Sequence, residues 1–215
     1  DRLGTMAHPT HTLTQVMEEL EKLRAQADAA FARVAAEFPQ AVTCHLGCDD
    51  CCHALFDLTP VESLALAQAF SDLPRQTRRE IRRRAQKSAE IFDRTISQAF
   101  SESGQDRIDI LSRARIPCPL LLKGQCALYV QRPLTCRLYG VPAAIDGQAR
   151  ICHKTRFQPG QTYPTVDMTK VQNELERLSG IALRLIPSLT YARRDMARSL
   201  ELANSHGPLL RALFK

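Results

Sequence analysis

The sequence lacks any run of about 18 apolar residues, the length that a membrane-spanning helix requires. Its first residues, DRLGTMAHPTHTL, also lack the apolar stretch of a secretory signal peptide. No internal repeat and no low-complexity linker interrupts the chain. We therefore expect a cytoplasmic protein with no membrane span, in which the thiol groups stay reduced.

The composition is typical of a globular protein, because 44% of the 215 residues are hydrophobic and 24% are charged. This length is sufficient for one hydrophobic core. We predict a single domain over residues 1–215, mainly α-helical, in which a helical bundle carries a small, irregular insert of short strands and loops. The insert is the cysteine-rich, metal-binding part: its cysteine-cluster region covers residues 44–153, between helices in 12–38 and 166–204.

Periodic apolar residues predict the main helices. Thr12 and Gln15 form a capping-box pattern at the start of the first helix, and Thr59 and Glu62 form another at the start of the second. The same periodicity predicts three further helices, over approximately residues 75–100, 166–178 and 188–204. The glycine Gly180 is expected to end the fourth of these five helices.

Two short hairpins are predicted between residues 116 and 153. Short apolar segments flank Lys123-Gly124-Gln125, and others flank Asp146-Gly147. Asp-Gly between apolar segments is a strong signal for a tight turn between antiparallel strands. A small β region is therefore expected around the later cysteines.

Eight cysteines form two groups that are separated by 65 residues. In a reducing compartment such thiols indicate metal ligands or catalytic groups before disulfides. Thiolates suit zinc and iron–sulfur iron, and each commonly takes four cysteines. The eight therefore fill two four-ligand sites, or one site with spare thiols. The candidate metal ligands are Cys44, Cys48, Cys51, Cys52, Cys118, Cys126, Cys136 and Cys152.

The first group, CHLGCDDCC, admits more than one interpretation. Neighbouring side chains in extended backbone point to opposite sides, so Cys51 and Cys52 are expected to serve two sites, or one site and the core. The spacing Cys44-x3-Cys48-x2-Cys51 also matches radical S-adenosylmethionine enzymes, but there the motif follows a strand of a barrel and here it follows a long helix. A single buried cysteine can also be an ordinary apolar residue.

The second group reads CPLLLKGQCALYVQRPLTCRLYG, residues 118–140. Together with CHLGCDDCC it resembles the YkgJ family of cysteine-cluster proteins, described as a zinc- or iron-chelating domain. The resemblance implies a bound metal or iron–sulfur centre. A relative that methylates flagellin lysines uses S-adenosylmethionine, so a similar protein lysine methylase is one alternative function, although the chain has no glycine-rich cofactor loop of the ordinary methyltransferase kind.

Several residues beside the cysteines have candidate roles. Arg132 and Arg137 are expected to offset thiolate charge or donate hydrogen bonds to sulfur, and so to tune a bound cofactor. His45, His53 and His153 each adjoin a cysteine. We expect these histidines to lie outside the ligand set, because the thiols are already numerous enough.

The spacing of the cysteines favours an iron–sulfur cluster, with zinc as the next choice. Structural zinc sites use paired Cys-x2-Cys knuckles, and only Cys48 and Cys51 have that spacing. The predicted function is metal binding through thiolates from two distant segments, serving redox chemistry or protein modification. Whether the protein is an enzyme stays open. No nucleophile–base pair or paired carboxylates indicate a separate active site, so any chemistry is expected at the metal.

One segment carries the whole net charge of +6, because residues 75–87 contain seven basic residues and one acidic residue. Helical spacing gathers most of them on a basic face: Arg75, Arg78, Arg79, Arg82, Arg83 and Lys87. A solvated face is the simplest interpretation. The alternative function is a zinc-stapled module that docks an acidic protein partner through helix 75–87. Nucleic acid is not expected as a partner, since no aromatic residues lie between the charges and no recognition motif accompanies them.

Overall fold

The computed structural model describes residues 11–45 and 47–207. The chain is mainly helical, at 59%, with a few short strands, which confirms the predicted fold class. The predicted domain 1–215 also includes the segments before and after these residues. The signal-peptide prediction depended largely on residues 1–10. Both predictions therefore extend outside the described residues. No helix in the described ranges is long and apolar enough to cross a membrane.

Seven α-helices and five short strands make up the described part of the chain. The helices are α1 Leu13–Glu37, α2 Pro60–Ser71, α3 Arg75–Ser101, α4 Gly104–Arg113, α5 Leu134–Leu138, α6 Met168–Leu185 and α7 Met196–Ser205. The strands are β1 Leu121–Leu122, β2 Gln125–Cys126, β3 Ala143–Ile145, β4 Gln148–Arg150 and β5 Val166–Asp167. Short 3-10 turns occur at Asp50–His53 and Tyr129–Gln131.

Both predicted capping boxes are present. The Thr12 side chain accepts a hydrogen bond from the Gln15 amide at 3.2 Å, and the Gln15 side chain accepts one from the Thr12 amide at 2.8 Å. At the start of α2, Glu62 accepts from the Thr59 amide at 3.4 Å. These reciprocal bonds satisfy amides that have no partner inside the helix, and they fix where each helix begins.

The core surrounds α2, which packs against α1, α6 and α7. Every residue of α2 from Pro60 to Ala67 is buried, and so is Phe70. A helix that is apolar on all sides belongs in the centre of a domain. The first group of cysteines lies shortly before α2 in sequence, so its segment leads directly into the core.

Two predicted helix boundaries are wrong. The helix α6 continues through Gly180 to Leu185, because its neighbours Leu178 and Ile181 are buried and their packing outweighs the roughly 1 kcal/mol that a glycine costs inside a helix. The helix α7 begins at Met196 and not at Ser188.

The segment before α7 is held by backbone bonds that a helix cannot make. The Leu58 amide donates to the Arg194 carbonyl at 2.8 Å, and the Arg194 amide donates to the Leu58 carbonyl at 3.1 Å. Asp195 then caps α7, accepting from the amides of Ala197 and Arg198. This long-range bridge delays the start of the helix.

Both predicted hairpins are confirmed. Strand β1 pairs antiparallel with β2, and β3 pairs antiparallel with β4 and parallel with β5. Each turn has two residues with positive φ, Lys123 (50°) with Gly124 (77°) and Asp146 (49°) with Gly147 (75°). Left-handed conformations at both central positions suit the twist of a two-residue hairpin. The helix α4 was not predicted from the sequence, and none of its residues is buried.

Candidate metal centre

All eight cysteines line one cavity of about 350 Å³. None of them forms a disulfide. The cavity lies between the loop that follows α1, the 3-10 turn Asp50–His53, the β1–β2 hairpin and α5. Both cysteine groups therefore line the same cavity, although 65 residues separate them in sequence.

Backbone hydrogen bonds bring the two groups together. The Cys118 amide donates to the Cys52 carbonyl at 2.7 Å, and the Ile116 amide donates to the His53 carbonyl at 3.0 Å. The hydroxyl of Ser88, a buried residue of α3, donates to the Pro117 carbonyl at 2.5 Å. These bonds fix the position of Cys118 beside the 3-10 turn.

The helix α5 carries Cys136 to the cavity, and a buried carboxylate anchors that helix. Glu62 of α2 accepts a hydrogen bond from the Leu134 amide at 3.0 Å, in the first turn of α5. Burial raises the pKa of Glu62, against the opposing effect of the hydrogen bonds from the Leu134 and Thr59 amides. Glu62 of the α2 capping box thus also helps to position the predicted metal ligand Cys136.

Five thiols form what we term the inner thiol group: Cys51, Cys52, Cys118, Cys126 and Cys136. Interaction with the Cys136 and Cys52 thiols lowers the pKa of Cys51 to about 3, and interaction with Cys52 lowers the pKa of Cys118. The same contacts raise the pKa of Cys52, through Cys118 and then Cys51, and of Cys136, through Cys51. Burial raises the pKa of Cys126 to about 11. Contact between neighbouring thiols thus shifts the pKa values of the two partners in opposite directions.

The expectation that the vicinal cysteines lie in extended backbone is wrong. Cys51 and Cys52 lie in a 3-10 turn and not in extended backbone. In the tighter turn their thiols interact with each other, and each also contacts one thiol of the second group, Cys136 or Cys118. Both Cys51 and Cys52 therefore belong to the inner thiol group.

The remaining three cysteines, Cys44, Cys48 and Cys152, form an outer thiol group. The Thr43 hydroxyl donates to the Lys154 carbonyl at 2.9 Å, which holds the segments of Cys44 and Cys152 side by side. Burial, followed by the neighbouring Cys48 and Cys152 thiols, raises the pKa of Cys44 to about 11. Burial and a hydrogen bond to Asp50 raise the pKa of Cys152.

Asp50 is a candidate functional residue that was not predicted from the sequence. It is 1% exposed, and its Oδ2 atom accepts a hydrogen bond from Cys152 Sγ at 3.3 Å. Burial raises the pKa of Asp50, but hydrogen bonds from Cys152 and Arg115 outweigh burial and hold the pKa below its ordinary value. The available signal was its position inside Cys48-x2-Cys51, where a carboxylate reaches the same space as the thiols.

One family matches the region that these contacts define. The family is named CxxCxxCC and described as a candidate zinc- or iron-chelating domain, and it matches residues 43–155, slightly more than half of the chain. The chain belongs to this family. No curated protein and no solved structure matches the chain. In this CxxCxxCC protein the matched region includes both cysteine groups together with α2 and α3. The match supports metal chelation by this region.

The two arginines beside Cys136 have different surroundings. Arg132 stacks over the Tyr129 ring at 3.6 Å, and its charge helps to lower the pKa of Cys51. Arg137 is buried and donates to Asp28 at 2.5 Å, to the Val130 carbonyl, and to the Arg132 carbonyl at 2.9 Å. The bonds of Arg137 therefore join α1 to the loop before α5.

The histidines next to cysteines also differ from one another. His53 Nδ1 lies 3.1 Å from the Asp49 carbonyl. His153 Nδ1 lies 3.6 Å from Asp50 Oδ2, in an exposed side chain. His45 lines the cavity. Of these three histidines, only His153 belongs to a group of three metal-ligating atoms that lie within 4.8 Å of one another in the described chain.

The basic face lies on α3, and none of its residues lines the thiol cavity. Five of the six side chains are exposed, and Arg78 is half-buried. Arg82 donates to Asn204 at 2.9 Å and lies over the Phe70 ring. Within residues 11–45 and 47–207, no carboxylate forms an ion pair with any of the six.

Proposed function

We propose that the inner thiol group binds an iron–sulfur cluster and that the protein acts in redox chemistry or protein modification through it. The observation that carries the proposal is the arrangement of the thiols around one cavity, because neighbouring thiols contact each other in pairs but the group as a whole is spread out. Among the described residues, the only set of three or more Asp, Glu, His or Cys ligand atoms that all lie within 4.8 Å of one another contains a single cysteine. No three thiols are therefore that close together.

This spread suits a cluster better than a single zinc ion. Tetrahedral zinc with bonds of about 2.3 Å requires its four sulfur atoms to lie roughly 3.8 Å apart. A cluster distributes its thiolates over several iron atoms, so its cysteine sulfurs are held further from one another. The cavity of about 350 Å³ between the thiols provides room for such a group.

The protein's own residues would hold and tune this group. Neighbouring thiols lower the pKa of Cys51 and of Cys118, which promotes the thiolate form that ligates metal. Arg132 places a positive charge near Cys51, and Leu120 and Leu128 supply apolar walls. When bound, a cluster would supply one-electron transfer, with a potential that depends on local charge and burial. Reduced thiols are needed throughout, which favours a cytoplasmic location.

The test is metal and acid-labile sulfide analysis, with a visible spectrum, on protein purified without oxygen. We expect iron and sulfide in comparable amounts and a broad visible absorbance that bleaches on reduction. Colourless protein that carries zinc and no sulfide would overturn the proposal. Equilibrium binding of S-adenosylmethionine to the same sample then tests the methylase alternative.

A zinc-stapled binding module is the second candidate, and the basic face favours it. Six basic side chains that form no ion pair with the described residues 11–45 and 47–207 are unfavourable for their helix, since like charges four residues apart repel each other. A partner with an acidic surface would offset this repulsion and gain from charge complementarity. Zinc in place of iron, together with salt-sensitive binding of an acidic polypeptide such as polyglutamate, would support this function.

A further inference from the structure

Three different metal-ligating atoms meet on the outer side of the cavity. Cys152 Sγ lies 3.3 Å from Asp50 Oδ2, and His153 Nδ1 lies 3.6 Å from the same oxygen. All three atoms lie within 4.8 Å of one another. Tetrahedral zinc with bonds of about 2.0–2.3 Å separates its ligand atoms by roughly 3.3–3.8 Å, so the two measured separations already fall in that range.

The other oxygen of Asp50 is held by basic residues. Arg115 Nη2 lies 2.8 Å from Asp50 Oδ1, and Lys154 Nζ lies 3.7 Å from it. Hydrogen bonds to the non-ligating atom of a metal ligand fix its orientation. Asp50 is 1% exposed, Arg115 and Lys154 hold Oδ1, Tyr139 also hydrogen-bonds the side chain, and Oδ2 lies beside Cys152 and His153.

The three ligands belong to two segments, and a backbone contact outside the inner thiol group holds the second of them in place. Asp50 begins the 3-10 turn, whereas Cys152 and His153 follow β4. The Arg156 amide donates to the Ala41 carbonyl at 2.9 Å, which holds the second segment against the loop after α1. Cys152 is buried, and the His153 ring is exposed. The site is therefore built into the fold and is open to solvent on its histidine side.

We propose that Asp50 Oδ2, Cys152 Sγ and His153 Nδ1 bind a zinc ion at a second metal site, separate from the inner thiol group. Mixed oxygen, sulfur and nitrogen ligands suit zinc, which is borderline in softness. Three protein ligands leave a fourth tetrahedral position, and zinc sites of that kind bind an exchangeable water or substrate atom there. That position is available from the side of the exposed His153 ring.

The experiment measures zinc, iron and sulfide per chain on protein purified without oxygen, loaded with Zn²⁺ and dialysed against buffer of known free zinc. The main variant is His153→Ala, because the exposed ring can be removed without disturbing the core. His53→Ala is the matched control, since His53 also adjoins a cysteine but its Nδ1 faces the Asp49 carbonyl. We expect one zinc in the wild type and in His53→Ala, and zinc affinity weakened by more than about tenfold in His153→Ala.

The variant Cys136→Ser separates this site from the inner thiol group. Zinc that is retained in Cys136→Ser and lost in His153→Ala supports the second site, whatever the iron content. Equal zinc affinity in the wild type and His153→Ala overturns it, and so does zinc that only Cys136→Ser removes. Iron and sulfide report on the cluster separately, so absence of iron with zinc lost only in His153→Ala would contradict the cluster and leave the second site standing.

Discussion

The backbone of Gly140 packs directly against the thiol of Cys44. A Cβ atom on residue 140 would lie 2.2 Å from Cys44 Sγ and 3.5 Å from the Phe31 ring. Gly140 follows α5, which carries Cys136, so this contact sets how closely the outer thiol group approaches the helix of the inner one. Any larger residue at position 140 requires the Cys44 thiol to move.

Replacing Gly140 by alanine should therefore displace Cys44. We expect Gly140→Ala to lower the free energy of unfolding by about 1–3 kcal/mol, as overpacking commonly does, and to make Cys44 react faster with an alkylating reagent. Denaturant unfolding and mass-spectrometric labelling measure the two effects. The matched control is Gly180→Ala in α6, where the nearest atom to a new Cβ is Arg184 Nη1 at 3.8 Å. This control should gain about 0.5–1 kcal/mol; equal behaviour of the two variants would contradict the packing argument.

Removing one thiol of the inner group should release the bound metal. We expect Cys136→Ser to lose its iron and more than about 3 kcal/mol of stability, because metal binding contributes directly to folding. Cys44→Ser, which lies outside the inner group, should keep the metal that the inner group binds. Metal analysis and thermal unfolding under anaerobic conditions check both. Unchanged iron and melting in Cys136→Ser would show that this thiol is not a ligand.

Arg137 should stabilise the fold through its planar set of donors. Arg137→Lys keeps the charge but leaves the Val130 and Arg132 carbonyls without donors, so we expect a loss of about 2–4 kcal/mol in denaturant unfolding. Asp28→Asn removes only the half-exposed charged partner and should cost no more than about 1 kcal/mol. If the two variants lose equal stability, the ion pair with Asp28, and not the carbonyl contacts, provides most of the stability that Arg137 contributes.

Protonation of Glu62 should make the wild type relatively more stable in mild acid. Burial raises its pKa in the folded state, so the folded protein binds the proton more tightly than the unfolded chain does. The stabilising contribution of this group is present at low pH and is lost as pH rises through the folded-state pKa. We expect the stability of the wild type relative to Glu62→Gln to increase as the pH falls below neutral, measured by urea unfolding. A pH-independent difference would exclude this linkage.

Charge reversal on the basic face should stabilise α3. Arg79 is exposed and stands four residues from both Arg75 and Arg83. Arg79→Glu replaces two repulsions with two attractions, each worth about 0.2–0.5 kcal/mol, so we expect the melting temperature to rise slightly at low salt and the gain to shrink in high salt. A lower melting temperature in this variant would show that Arg79 makes a favourable contact in the folded protein.

Local features of the chain were predictable because their causes lie within a few residues. The capping boxes at Thr12 and Thr59 and the hairpin turn at Asp146-Gly147 depend on side chains and φ angles at the turn itself. The end of α6 was not predictable in this way. Gly180 usually signals a helix end, but burial of its neighbours against α2 continues the helix.

The sequence by itself determined that eight cysteines in two groups, with their characteristic spacing, belong to a metal-chelating family. The tertiary structure alone decided which thiols are neighbours and added Asp50 and His153 to the candidate ligands. The physical reason is distance along the chain. The bond between Cys118 and Cys52, the anchoring of Leu134 by Glu62 and the contact of Cys152 with Asp50 join residues that are 66, 72 and 102 positions apart. Spacing within a motif carries no information about contacts of that range.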